Sequence, residues 1–241
     1  QGWTGKMWAV AQGITAATAQ FPSATYYLLT DADIAHHPEN LTELMAKALD
    51  GKLALVSLMV RLRCETWWEH LLMPAFVFFF QKLYPFSWVN NPDKKTAGAA
   101  GGCMLVKRSA LEKAGGIEKI KGEIIDDCAL AKLLKKSDPI WLGLTRSTSS
   151  LRGYITLPDV WRMVCRTAFV QLNHSALKLA GTVIGMVIIY LVPIASILAG
   201  FFSQEFEMLT VGLAAWAFMA VAYTPTLRLY SRPAWEACLL P

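Results

Sequence analysis

The sequence predicts an α/β domain with a mostly parallel sheet, followed by two membrane-crossing helices. Three observations predict it. Short apolar runs, residues 26–30 and 53–62, alternate with helical segments, the pattern of buried strands covered on both faces. Residues 179–202 and 208–227 carry no charge, and at about 1.5 Å per residue each can cross a hydrocarbon core of roughly 30 Å. Finally, 54% of the 241 residues are apolar, above the usual soluble range, and the excess is concentrated in those two runs.

Each element has its own signal. Residues 6–20 read as an alanine-rich helix, and the strand 26–30 follows. Pro38 opens a helix in which Leu41, Leu44, Met45, Ala48 and Leu49 recur at helical spacing until Gly51. The strand 53–62 comes next. Residues 67–89 gather Trp67, Trp68, Phe76, Phe78, Phe79, Phe80 and Trp88 around a charge-free stretch interrupted by Pro74 and too short to span. It fits either an element lying among lipid headgroups or an aromatic core helix. After a polar loop at 90–95, the small residues 98–102 allow a ligand to approach the backbone closely. Residues 103–107 form a strand. Ser109-x-x-Glu112 then opens a short helix as a capping box, which Gly115-Gly116 stops. Asp126-Asp127 begins the next helix, with Leu130, Leu133 and Leu134 on one face and Lys132, Lys135 and Lys136 toward its end. Asp159 is expected to cap a last amphipathic helix carrying Trp161, Arg162, Arg166 and Gln171. The chain thus divides into a domain at 1–158, an interfacial helix at 159–178 and a membrane region at 179–241.

Charge orients the membrane region. Lys178 precedes the first span, Arg228 and Arg232 follow the second, and the loop 203–207 between them holds two glutamates and no base. The positive-inside rule therefore places that loop outside and the domain in the cytoplasm. The net charge of +5 suits a face resting on anionic lipid and is too diffuse to argue for nucleic acid. Five cysteines share no metal-ligand spacing, so they are expected to be reduced and mostly buried. The opening Gln1-Gly2-Trp3 and the ending Leu239-Leu240-Pro241 read as the interior of a longer protein with a further strand before the first helix.

Chemistry centres on Asp31-Ala32-Asp33 at the end of the first strand. Carboxylates at i and i+2 leave a strand on one side and converge. Hard cations such as Mg²⁺ or Mn²⁺ take one or two carboxylates, with water and substrate diphosphate completing the shell. Ligands of open α/β sheets bind beyond the carboxyl ends of the strands. By itself the pair reads more readily as a turn with two solvated aspartates. His36 and His37 read as polar loop residues rather than ligands.

Four motifs in order resemble the family-2 inverting glycosyltransferases: Gly2-Trp3-Thr4-Gly5-Lys6, Asp31-Ala32-Asp33, Ala100-Gly101-Gly102-Cys103-Met104-Leu105 and Asp126-Asp127. The Ile125–Ala131 and Trp161–Ala168 stretches, with the trailing spans, are most similar to the hopene-associated subgroup of bacterial hopanoid biosynthesis, itself related to ceramide glucosyltransferases. The resemblance implies a Rossmann-like nucleotide-diphospho-sugar transferase fold of the GT-A type, with its catalytic domain on the cytoplasmic side of a bacterial inner membrane. It implies a nucleotide-sugar donor, a lipid acceptor and Mg²⁺ or Mn²⁺.

It also implies roles. Gly5 and Lys6 would lie near the nucleotide or its diphosphate, although Met7 after the lysine rules out a Walker A loop. Asp31 would face the ribose, Asp33 would ligate the metal, and Gly101 and Gly102 would line the donor. Asp127 would be the general base, with Asp126 tuning it, in place of the Glu-Asp of many relatives. Arg166 would meet the leaving diphosphate. The Gln/Arg-x-x-Arg-Trp motif of processive relatives is unmatched at Met163-x-x-Arg166-Thr167, which argues against polysaccharide synthesis. Two other readings stay open: a polyprenyl-phosphate or other glycolipid glycosyltransferase, and a non-catalytic membrane-anchored binding protein.

Overall fold

Five strands form one sheet among residues 2–240, the part of the chain that this computed structural model describes. They are β1 (Tyr26–Thr30), β2 (Ile34–Ala35), β3 (Leu55–Arg61), β4 (Cys103–Lys107) and β5 (Ile140–Ser150), arranged β1-β4-β3-β5-β2. Only β3 and β5 pair in parallel; β1–β4, β3–β4 and β2–β5 are antiparallel. The mostly parallel sheet expected from the sequence is therefore corrected to a mixed one, in which β4 runs against both its neighbours. An apolar run reports cover on both faces, and Cys103–Val106 are indeed buried. That cover is the same whichever way a strand points.

The described residues fall into two compact units. The first takes the chain up to Arg63 and then Phe80–Gly153; the second takes Cys64–Phe79 and the chain from Tyr154 on. The expected segments 1–158, 159–178 and 179–241 follow linear order, whereas these units interleave.

In the first unit, α1 (Gly5–Gln20) starts at Thr4, whose side chain accepts from the Met7 N–H at 3.3 Å. α2 (Asn40–Asp50) sets Leu44 and Ala48 against Leu53, Val56, Leu58, Val60, Cys103 and Leu105, one buried cluster spanning β3 and β4. α6 (Asp126–Leu134) buries Leu130, Ala131 and Leu134. The short α5 (Arg108–Lys113) corrects the expected capping box. The helix starts at Arg108, directly off β4, so Ser109 already lies inside it, and Glu112 pairs with Arg108 at 2.7 Å instead.

β5 was not anticipated. Its second half, Thr145–Ser150, is too polar to read as a strand, and its register against β3 slips between Met59 and Arg61. Asn90, from the polar loop after α4 (Phe86–Val89), holds β5 by bracketing Leu142: its amide donates to the Leu142 carbonyl at 3.0 Å, and its oxygen accepts from the Leu142 N–H at 2.7 Å.

The second unit is helical. The aromatic segment forms α3 (Trp67–Leu83), of which residues 67–79 belong here, and Pro74 sits inside the helix without ending it. α7 (Leu157–Gln171) starts with a capping box in which Thr156 is the cap and Asp159 its reciprocal partner. α8 (Ala176–Met186), a π-helical turn at Val187–Leu191 and α9 (Val192–Ser203) form one helix of 28 residues, and α10 (Phe206–Leu229) adds 24. Both are long and apolar enough to cross a membrane. Only 6% and 11% of their most apolar windows are buried, whereas the core helix of a soluble fold is mostly buried. α9 and α10 approach closely through small residues: a Cβ on Gly200 would lie 2.6 Å from the Leu209 nitrogen.

None of the five cysteines forms a disulfide. Cys103 is buried, while Cys165 and Cys238 are exposed, fewer buried than expected.

Candidate active site

The site is assembled in the first unit from three places far apart in sequence. The end of β1 supplies Asp31, the first turn of α1 supplies Lys6, and the first turn of α6 supplies Asp126 and Asp127. Lys6 Nζ lies 3.1 Å from Asp31 Oδ1 and 3.2 Å from Asp126 Oδ2, joining the end of β1 to the start of α6 with one ammonium. Burial would lower the pKa of Lys6, but Asp126 and Asp31 outweigh it and hold the lysine above its ordinary value.

Asp127 turns toward the backbone. Its Oδ2 accepts from the Gly101 N–H at 2.8 Å and its Oδ1 from the Cys128 N–H at 2.7 Å. Burial, reinforced by the Asp126 charge, raises its pKa above the usual carboxylate range, against the pull of those two N–H groups and of Lys6. Cys128 is pushed up to about 12 by burial and by Asp127, so its thiol is inert.

The site packs closely around Gly101: a Cβ there would lie 3.3 Å from Lys6 Nζ and 3.4 Å from Asp127 Oδ2. Gly102 is confined instead by Val60 and Ile34, at 3.0 and 3.3 Å from where its Cβ would sit. Gly5 opens α1, and nothing stands within 4 Å of a Cβ there, so no steric demand selects glycine.

Asp33 is half-exposed. Its backbone carbonyl accepts from the Leu151 N–H at 2.8 Å, and its carboxylate has no hydrogen bond or ion pair among the described residues. Arg166 lies in the second unit, exposed on α7, also without a partner among the described residues.

Three residues were not anticipated. Thr30 Oγ1 donates to the Gly102 carbonyl at 2.9 Å and meets His36 Nε2 at 2.9 Å, and His36 Nδ1 meets the Asn40 amide at 3.0 Å. One consistent assignment runs from the Asn40 N–H through a neutral imidazole to Thr30 and on to Gly102. The chain ties the Asp31 loop to the Gly101-Gly102 turn. His36, read from sequence as a polar loop residue, thus has a positioning role that only its neighbours in space reveal.

A cavity of about 450 Å³ runs between α1 and β1 and ends at Lys6, Asp31, Asp126 and Gly101. Its size lies within the range of small-molecule sites. Apolar side chains such as Val10, Ile14, Leu28 and Met104 form its length, so the polar groups stand together at one end.

A mixed α/β sheet with carboxylates and a lysine gathered beyond the end of β1 is consistent with a nucleotide-sugar enzyme, and comparison with known families gives the class: the protein is a glycosyltransferase. Residues 9–240 match glycosyl transferase family 21, and the chain belongs to that family. The motifs had pointed to family 2 and its hopene-associated subgroup; the class of enzyme agrees, and the family is 21. No curated protein matches the chain.

Proposed function

We propose that the protein transfers a sugar, with inversion, from a nucleotide-sugar donor to a lipid hydroxyl at the cytoplasmic surface of a membrane. One observation carries the reading: Lys6 joins Asp31 to Asp126 across three separated segments, and Asp127 beside Asp126 is held by the Gly101 backbone. A structural role alone does not need four charged groups at one point.

Asp127 is the general base in this reading. Two backbone N–H groups fix its orientation, and each oxygen keeps a lone pair with which to accept the proton of an attacking hydroxyl. Its raised pKa moves it toward neutrality, where a base is most effective. Lys6 presents the positive charge that a diphosphate needs, and Asp31 and Asp126 aim it. The Gly101 backbone leaves room for the donor to lie against it.

Asp31, Asp126 and Asp127 set three carboxylates against one lysine, a balance that repels a diphosphate. A divalent cation would offset it. Among the described residues no group of three or more His, Cys, Asp or Glu side chains could hold a metal, so a protein-only cage of the zinc type does not fit. Mg²⁺ or Mn²⁺ fits, because these ions take one or two carboxylates and fill the remaining positions with water and phosphate oxygens. Asp33, with its carboxylate unengaged, would hold it. Bound there, the ion would neutralise charge on the departing nucleoside diphosphate.

The two long apolar helices support membrane attachment, and the basic residues Lys178, Arg228 and Arg232 at one end support a cytoplasmic catalytic domain. Hopanoid alcohols belong in the acceptor panel because of the motif resemblance.

The test is label transfer from radiolabelled nucleotide sugars into extracted lipid, using membranes containing the protein, Mn²⁺ or Mg²⁺, and the Asp33→Ala and Asp127→Asn variants. Transfer that needs the cation and is lost in both variants is the expected result. Absence of both transfer and nucleotide binding would overturn the proposal.

A further inference from the structure

The Gly101-Gly102 turn carries the N–H that aims Asp127, and a glycine backbone does not hold a direction unaided. Two clamps flank it, all within the first unit. On one side the buried Ser57 of β3 fastens Ala100, its Oγ accepting from the Ala100 N–H at 2.9 Å and donating to the Ala100 carbonyl at 3.1 Å. On the other side Thr30 Oγ1 donates to the Gly102 carbonyl at 2.9 Å.

The Thr30 hydroxyl has one hydrogen and His36 decides where it goes. Nε2 of His36 stands 2.9 Å from Thr30 Oγ1. If Nε2 carried no hydrogen, the hydroxyl would be drawn to the ring and Gly102 would lose its donor. Asn40 prevents this. Its Nδ2, 3.0 Å from His36 Nδ1, donates there and leaves the ring hydrogen on Nε2, so that Nε2 donates to Thr30 and Thr30 to Gly102. Asn40 is 1% exposed, and its Oδ1 has no hydrogen-bond partner among the described residues. A buried amide oxygen left unpaired works against stability, so packing alone gives no reason for an asparagine there. Directing the ring does.

We propose that His36 is a positioning residue for sugar transfer: set by Asn40, and acting through Thr30 and Gly102, it holds the Gly101 N–H on Asp127 Oδ2. The inference rests on the reading of Asp127 as the base. The Gly101 N–H favours the charged carboxylate, so loosening the turn raises the pH at which Asp127 loses its proton. The other groups facing Asp127 are Asp126 on its own helix, Lys6 from α1 and the adjoining Cys128, and none of them bonds His36 or Thr30.

The experiment uses the full chain in phosphatidylcholine nanodiscs, with aspartate labelled at Cγ with carbon-13. Asp127 is the resonance missing in Asp127→Asn, and its titration is followed in His36→Ala, Thr30→Val and His36→Gln. Glutamine puts an amide N–H near the place of Nε2–H. His36→Ala and Thr30→Val are expected to move the Asp127 titration about 0.5–1 pH unit upward, what weakening one hydrogen bond to the carboxylate is worth. With the radiolabelled nucleotide sugars as donors, kcat should fall about fivefold to tenfold while the donor KM stays within about twofold. His36→Gln should restore both. Nitrogen-15 spectra of the unsubstituted chain in mildly alkaline buffer should show His36 protonated at Nε2 and bare at Nδ1. The opposite tautomer overturns the proposal without any variant, so misfolding of a variant does not rescue it. So does an Asp127 titration that stays in place in both His36→Ala and Thr30→Val, or a His36→Gln no better than His36→Ala. A titration that moves as expected while Asp127→Asn still transfers sugar would keep the linkage and reject Asp127 as the base; an unmoved titration with transfer lost in Asp127→Asn would do the reverse.

Discussion

Asp127 and Glu69 are both acids held by backbone N–H groups, and the difference between them separates chemistry from architecture. Glu69, in the second unit, is fully buried. Its Oε2 accepts from the N–H groups of Glu65 and Thr66, each at 2.9 Å, and its Oε1 from that of Tyr154 at 2.7 Å. With Thr66 Oγ1 accepting in return from the Glu69 N–H at 3.4 Å, it completes the start of α3 and pins the chain entering α7. Solvent does not reach that residue, and three backbone N–H groups occupy both oxygens of its carboxylate. Asp127 has only two such donors, a second carboxylate beside it, a lysine salt-bridged to that neighbour, and a glycine turn against it with no side chain in the way. The first arrangement saturates an acid; the second keeps one available at raised pKa. Burial alone therefore does not mark a functional acid. Unspent acceptor capacity in a place a substrate can reach does.

Substitutions can break or sharpen that contrast. Asp127→Asn keeps the shape but not the base, and is expected to lower sugar transfer by about 10²- to 10⁴-fold, read as label into lipid with nucleotide binding measured alongside. Glu69→Ala should act on stability instead. Three backbone N–H groups lose a charged acceptor, and a cost of at least about 3 kcal/mol is expected in denaturant titration of the detergent-solubilised protein. If Glu69→Ala leaves stability unchanged while abolishing transfer, the contrast is wrong.

Asp126→Asn tests the electrostatics. Because burial and then Asp126 raise the Asp127 pKa, and because the base must be deprotonated, activity should fall as pH drops through that raised value. Removing the Asp126 charge should move the acid limb of the kcat/KM profile to lower pH. A limb that stays in place would assign it to another group. Smallest of all, Ser109→Ala should change stability by less than about 0.5 kcal/mol, because Ser109 is not the cap its sequence context advertises.

Ser109 shows why some of this was hidden in the chain. Ser-x-x-Glu is a local signal, but whether it caps depends on where the preceding strand ends, and β4 runs straight into the helix at Arg108. β5 was missed for the opposite reason: Thr145–Ser150 has no apolar pattern, and it is a strand because β3 and β2 offer it backbone partners. The strand β1 and the first turn of α6 were legible to the residue, since an apolar run ending in aspartates and an acidic pair opening a helix are local patterns.

By itself the sequence determined the two apolar helices, most of the remaining elements, and the residue types of the site. Hydrophobic periodicity, helix punctuation and charge-free length act along the chain and can be read there. Only the tertiary structure decided the direction of β4, the bridge of Lys6 between Asp31 and Asp126, the hold of Gly101 on Asp127, and the link from Asn40 through His36 to Gly102. Apart from the short steps at His36, each of these joins parts of the chain that are far apart in sequence. It forms because backbone donors and charged groups excluded from water must find partners wherever the packed fold brings them.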